Sequence, residues 1–202
     1  MAVDLRKWQA AFVPHFMGSP HDTYLCAALP GAGKSIAAGE CIRRFLAQHP
    51  HGRVLIVVPT SHMRRQWMGV MSAVFGLQFD PDLSPVVRPG FRGLITTYAG
   101  LGLNSETIAR FVSGGPCLVV ADEVHHMGEG TWGSAALYAF SNARRRLFLS
   151  GTPFRHDEKR IPFLRVVEDD LGANYVCDFV YDFADALADK VVRALTFQSF
   201  DG

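Results

Sequence analysis

The sequence predicts an α/β domain built on a mainly parallel sheet with helices on both faces. Three observations carry that expectation. Short apolar runs recur along the 202 residues with amphipathic stretches between them, the alternation that parallel strands and their crossover helices produce. The runs are apolar at successive positions rather than every second one, as strands covered on both faces require. The composition, 49% hydrophobic against 19% charged, supplies enough apolar surface to close a core and excludes a disordered chain.

The first strong strand is expected over residues 24–28, running through Leu29 and Pro30 into a glycine-rich turn and a helix. On that helix Ala38, Cys41, Ile42 and Phe45 fall at the i, i+3, i+4, i+7 spacing of a buried face, with Glu40, Arg43 and Arg44 off it. Val54 to Val58 form a β-branched run stopped by Pro59, a fully buried strand. A helix from Ser61 follows, with Met63, Trp67, Val70, Met71 and Val74 toward the core and Gly76 as its stop. A loop punctuated by Pro81, Pro85 and Pro89 leads to a strand at 94–98 and a short helix at 105–112, closed by Gly114 and Gly115. The remaining elements are a strand at 117–121, a helix at 131–143 and a strand at 147–149. Arg144, Arg145 and Arg146 read as a solvated helix end favouring the dipole. The charged run 156–160 reads as an exposed loop, and the alternation over 175–183 as one half-exposed edge strand.

The net charge of +1, from 20 Lys and Arg against 19 Asp and Glu, gives no overall cationic field, so any polyanion must be gripped locally. Cys26, Cys41, Cys117 and Cys177 are widely spaced without a C-x-x-C pair, which points to a reducing, cytoplasmic setting rather than a disulfide framework or zinc site. His125 and His126 lack zincin spacing. No apolar run is long enough to span a bilayer, and the start carries no signal-peptide core, so no membrane partner is expected.

Chemistry concentrates at two places. Gly31, Ala32, Gly33, Lys34 and Ser35 lie between a strand and a helix. In that setting backbone N–H groups and a helix start surround phosphate oxygens, a lysine reaches the β and γ phosphates, and a hydroxyl ligates Mg²⁺. The plain alternative is a glycine turn that only begins a helix. Asp122 and Glu123 follow the strand ending at Ala121, at the strand end where open α/β sheets bind ligands. One carboxylate there can hold Mg²⁺ and the next can position an attacking water.

These residues resemble motifs of the superfamily 2 helicases. Ala28 to Ser35 resembles their A-x-x-G-x-G-K-[ST] motif I, which accounts for Ala28 where the general phosphate-loop pattern has Gly, and Asp122-Glu123-Val124-His125 resembles their D-E-x-H motif II. Leu5-Arg6-Lys7-Trp8-Gln9 resembles the upstream adenine-reading element. Pro59-Thr60 with Gln66-Trp67, and Ile95-Thr96-Thr97-Tyr98, resemble the motifs that touch the nucleic-acid backbone. Ser150-Gly151-Thr152-Pro153-Phe154-Arg155 resembles motif III of the restriction-subunit and repair-helicase type of DNA translocase.

The resemblance implies a RecA-like phosphate-loop domain that binds ATP and Mg²⁺. Pro30, Gly31, Ala32, Gly33, Lys34 and Ser35 would cradle the nucleotide, Gln9 read adenine, Ser35 and Asp122 place Mg²⁺, and Glu123 handle the water. His125, Ser150 and Thr152 would couple the nucleotide to the bound strand, and Thr60, Arg64 and Thr97 would face its phosphates. It leaves DNA and RNA both open, with DNA favoured by the subgroup. Trp67 reads as a core residue rather than a base-stacking platform, because it sits on the helical stripe. Such motors use two RecA-like domains, and no Q-x-x-G-R-x-x-R pattern occurs in these residues. The expectation is therefore one domain over 1–202, with 155–202 a looser segment leading toward a second domain in cis or trans. A nucleotide-dependent protein-interaction module without motor activity is the alternative.

Overall fold

The computed structural model of the chain describes residues 3–128, 131–151, 160–169 and 172–191. In chain order its elements are α1 (Lys7–Gly18), β1 (Thr23–Ala28), α2 (Lys34–Gln48), β2 (Arg53–Val58), α3 (Ser61–Phe75), β3 (Gly93–Thr97), α4 (Tyr98–Leu103), α5 (Ser105–Ser113) and β4 (Cys117–Ala121). After a 3-10 turn at Val124–Gly128 come α6 (Trp132–Phe140), β5 (Arg145–Ser150), β6 (Val166–Asp169), β7 (Gly172–Tyr175), β8 (Phe179–Tyr181) and α7 (Phe183–Ala188).

Alternate residues of each apolar run enter opposite layers, and this two-sided burial fixes the architecture. Tyr24, Cys26, Ile56, Val58, Val120 and Leu147 pack under α1, α2 and α3. Leu25, Leu55, Val57, Val119 and Phe148 pack under α4, α5 and α6. Between the layers lies a six-stranded sheet in the order β3-β2-β4-β5-β1-β8, with every adjacent pair parallel. A parallel sheet brings the C-terminal ends of all its strands to one rim, where ligands bind in open α/β folds.

The predicted helix boundaries have visible causes. The Thr60 hydroxyl accepts the Met63 N–H at 3.2 Å and opens α3, and Gly76, at φ +64°, closes it. Gly39 on α2 lets the Phe75 ring of α3 settle onto the helix backbone, since a Cβ there would lie 2.2 Å from the ring.

Several expectations are corrected. α1 precedes the first predicted strand and buries Trp8, Phe12, Val13 and Phe16. Residue 98 belongs to α4 rather than to the strand before it, because the Thr97 hydroxyl accepts the Gly100 N–H and turns the chain into a helix. Glu40, placed off the buried face, is itself buried, its carboxylate bonded by Arg43 and Arg44. Arg144 is exposed, but the Arg146 guanidinium is buried and donates to the carbonyls of Phe140 and Ser141, closing α6 from beneath. Arg145 donates to Phe16 and stacks over its ring. The alternation over 175–183 is no single strand. Tyr175 ends an antiparallel hairpin of β6 and β7, whereas β8 is a short edge strand parallel to β1. Of the predicted loop 156–160, residues 156–159 lie outside the described residues, and Arg160 is exposed.

Candidate functional site

The ends of β1, β4 and β5 bring the two chemical motifs together. Beyond β1, Gly31 (φ +76°) and Gly33 (φ +91°) both take the left-handed backbone that residues with a Cβ resist. At Gly33 a Cβ would also lie 2.6 Å from the Gln9 amide nitrogen. The loop turns directly into α2, whose ladder begins with the Ile36 N–H donating to the Gly33 carbonyl at 3.1 Å, so the N–H groups of Lys34 and Ser35 stand ahead of it at the helix start. Together they form a concavity at the positive end of a helix dipole, a geometry that favours negative charge.

Lys34 stands at the first position of α2 with its side chain folded back and buried. Its ammonium donates to the Ala28 carbonyl at 3.1 Å and lies 3.0 Å from Glu123 Oε1. The other carboxylate oxygen, Oε2, accepts the Gly151 N–H at 3.0 Å and is 3.6 Å from His125 Nδ1, which in turn lies 3.3 Å from the Ser150 hydroxyl. Glu123 reaches these partners from a left-handed backbone, φ +47°, at a local cost of about 1–2 kcal/mol, the kind of strain that collects at functional sites. Burial opposes its charge, but the Gly151 N–H and the Lys34 ammonium outweigh burial and hold the carboxyl below the ordinary glutamate range.

Asp122 is more deeply placed, 4% exposed, and its environment works the other way. Burial raises its carboxyl above the ordinary aspartate range, opposed by a hydrogen bond from Trp67. The Trp67 indole N–H donates to Oδ2 at 2.8 Å, the Glu123 N–H donates to Oδ1 at 3.0 Å, and the Tyr98 hydroxyl donates to the Asp122 carbonyl at 3.0 Å. Ser35, the second residue of α2, is half-buried beside Lys34.

The remaining predicted residues divide into two groups. Gln9 is buried against the phosphate loop, accepting the Arg6 N–H at 2.8 Å and donating to the Gly33 carbonyl at 2.9 Å. With Val3, Asp4, Arg6, Ile36 and Val74 it lines a cavity of about 550 Å³ whose walls are partly apolar, next to Gly33. Thr60 and Thr97 stand away from this cluster at the ends of neighbouring strands β2 and β3, where Val58 and Thr97 are paired in register. Each caps a helix, and Arg64 lies one turn into α3, half-exposed. Thr152 lies outside the described residues, as do the following positions of its motif, Pro153 to Arg155. Pro30 is exposed on the loop, against Gly151.

Four residues that lie within the motif matches make contacts in the site that the motifs do not specify. Trp67 and Tyr98 hold Asp122, while Arg6 and Trp8 both donate to the Ala32 carbonyl, at 3.0 and 3.1 Å, and brace the loop. A buried indole N–H or phenol needs an acceptor, and that requirement is the signal that could have pointed Trp67 and Tyr98 toward a polar partner at the strand ends.

Residues 2–155 match the family model described as the type III restriction enzyme res subunit. An uncharacterized protein of Mycobacterium tuberculosis is 37% identical over 203 residues, covering 98% of this chain and 34% of that protein, so the chain spans about a third of the relative's length. Among solved structures, the Sulfolobus solfataricus SWI2/SNF2 ATPase core in complex with dsDNA superposes with a TM-score of 0.61 at 20% identity, over 74% of this chain and 32% of that one. A nuclease-deletion mutant of the Type ISP restriction-modification enzyme LlaGI, in complex with a DNA substrate mimic, gives a TM-score of 0.65 at 13% identity, over 93% and 21%. At these identities the likeness is one of fold, that of RecA-like motor domains.

Proposed function

From the premise that the chain belongs to the type III restriction enzyme res-subunit family, we propose that it is the ATP-binding first motor domain of a DNA helicase or translocase. The observation that carries the reading is the meeting of Lys34, Asp122 and Glu123 beside the glycine loop that opens α2. The residues fit Mg-ATP: a double left-handed loop leaves room for phosphate oxygens, a lysine stands at the helix start, and a hydroxyl and a buried carboxylate supply the oxygen donors Mg²⁺ prefers. Bound there, Mg²⁺ would neutralise charge developing on the phosphates.

The chain's own residues divide the work. Lys34 exchanges Glu123 for the β and γ phosphate oxygens as nucleotide enters, and the first N–H groups of α2 add the helix dipole. Ser35 and Asp122 would hold the metal. Glu123, kept ionised by Gly151 and Lys34, orients the attacking water and takes its proton at a carboxylate oxygen. The apolar wall of Ile36 and Val74 takes the adenine face and Gln9 its polar edge. His125 and Ser150 join Glu123 to the end of β5, the route by which Thr152 would couple nucleotide to strand. Thr60, Arg64 and Thr97 grip DNA phosphates. A second RecA-like domain would complete the motor, and hydrolysis by these 202 residues alone is expected to be slow. An arginine finger from such a second domain is worth roughly 10³–10⁵ in rate in related nucleotide hydrolases.

Calorimetric titration with Mg-ADP tests the reading. Lys34→Ala removes a charged hydrogen-bond donor worth about 1.5–3 kcal/mol, so affinity should fall roughly ten- to hundredfold with the fold intact. Equal affinity in the folded variant and the wild type would refute it.

A further inference from the structure

We propose that Trp67 is a positioning residue for the metal-binding carboxylate, tying α3 mechanically to Asp122; the inference rests on the nucleotide-binding reading above. Trp67 is 3% exposed and lies among apolar neighbours in the layer beneath α1, α2 and α3. Its indole N–H nevertheless does not end in the core but reaches through the layer to Asp122 Oδ2 at 2.8 Å. Asp122 Oδ1 takes the Glu123 N–H, its main-chain N–H donates to Val57 at 2.8 Å and its carbonyl accepts from Tyr98. The backbone is thus fixed from the sheet and α4, while the carboxylate plane is held at Oδ1 by the adjacent main chain and at Oδ2 by the one side-chain bond that arrives from α3.

The origin of that bond gives it significance. Thr60, Arg64 and Trp67 follow one another at helical spacing, so the end of α3 assigned to DNA phosphates and the indole on Asp122 lie on the same rigid rod. Arg64 and Trp67 are less than one turn apart, about 4.5 Å along the axis. A shift of α3 on gripping a phosphate backbone therefore changes where the indole N–H sits, and with it the carboxylate oxygen available to a metal. Groups that orient a ligand from the second layer commonly control metal affinity ten- to hundredfold.

The test separates Trp67 from a packing role. ADP is titrated into the wild type and Trp67→Phe, which keeps an aromatic ring in the layer and deletes only the donor, each with and without Mg²⁺. The expected result is unchanged Mg²⁺-free affinity and a Mg²⁺-dependent gain reduced on the order of tenfold. In an Asp122→Asn background the Trp67→Phe change should cost nothing further in that gain. An equal gain in wild type and Trp67→Phe, or the same loss with Asn at 122, would overturn the proposal and leave nucleotide binding standing. Failure of the wild type to bind ADP under either condition would instead overturn the nucleotide reading and this inference with it. If Trp67→Phe does not fold, the indole N–H resonance of Trp67 in the unaltered protein decides. It should move when Mg²⁺ is added to the ADP complex, and a resonance that stays in place refutes the link.

Discussion

Glu123 sits between two opposed demands: a buried setting that resists its charge, and Lys34 and Gly151, which require it. On the proposed reading Lys34 leaves Glu123 to meet a phosphate, so removing the carboxylate charge should help binding while slowing hydrolysis. Glu123→Gln is expected to bind Mg-ATP at least as tightly as the wild type. In a protein completed by a second RecA-like domain, it should lose hydrolysis by about 10²–10⁴-fold, the usual contribution of a positioned base. Filter binding and phosphate release check the two halves, and a variant that hydrolyses at the wild-type rate would remove Glu123 from the mechanism. The placing of Lys34, Ser35, Asp122 and Glu123 at one rim was legible in the sequence because each pair follows the end of a strand, β1 or β4, and parallel strands end on the same side. Trp67 was not, because a core tryptophan and a carboxylate-orienting tryptophan share the same helical stripe, and only the three-dimensional path of its N–H separates them.

Among the elements, the proline-rich loop before β3 is organised around a buried carboxylate. Asp80 is fully buried and bridges to the edge strand through a pairing with Leu94, and Arg88 grips both of its oxygens. That contact holds the Asp80 carboxyl below its ordinary value of 3.8. A depressed carboxylate contributes stability that is fully present above the unfolded value and lost as pH falls through the folded one. Thermal unfolding should therefore show the wild type losing stability below about pH 4 more steeply than Asp80→Asn, the gap between them closing with acid. Parallel slopes for the two proteins over that window would contradict the assignment. Elements were legible where both faces are buried, since Val54 to Val58 and Cys117 to Ala121 admit few other conformations. α1 was obscured by Pro14 within it, a residue that ordinarily breaks a helix, and α4 by Gly100 and Gly102, which lower helix propensity. The β6–β7 hairpin was merged with β8 because alternation alone does not reveal where a chain leaves one sheet for another.

For the molecule as a whole, a net charge of +1 limits how DNA can be held. On the proposed reading only Thr60, Arg64 and Thr97 meet phosphates, so few counterions would be released on binding. Affinity should be weak and indifferent to sequence, and log K should fall by about 0.7–0.9 per phosphate neutralised as log salt rises. Fluorescence anisotropy with several unrelated duplexes over a salt series measures both. Tight sequence-selective binding, or no loss in an Arg64→Ala, Thr97→Ala double variant, would place the DNA face elsewhere. No helix among the described residues is long and apolar enough to cross a membrane.

The uniformly parallel sheet also supplies a handle for experiments. Since every strand of the six points the same way, the loops before β1, β2, β4 and β5 lie at the far rim, roughly 17–20 Å from the phosphate loop, the length of a typical strand. His51, exposed between α2 and β2, is a site for an introduced cysteine, because Cys26, Cys41 and Cys117 are buried and only Cys177 is half-exposed. A dye or surface tether attached there would leave the cavity beside Gly33 and the capped ends of α3 and α4 open, so the proposed binding of nucleotide and DNA could be followed by an optical probe without burdening the rim that carries Lys34 and Glu123.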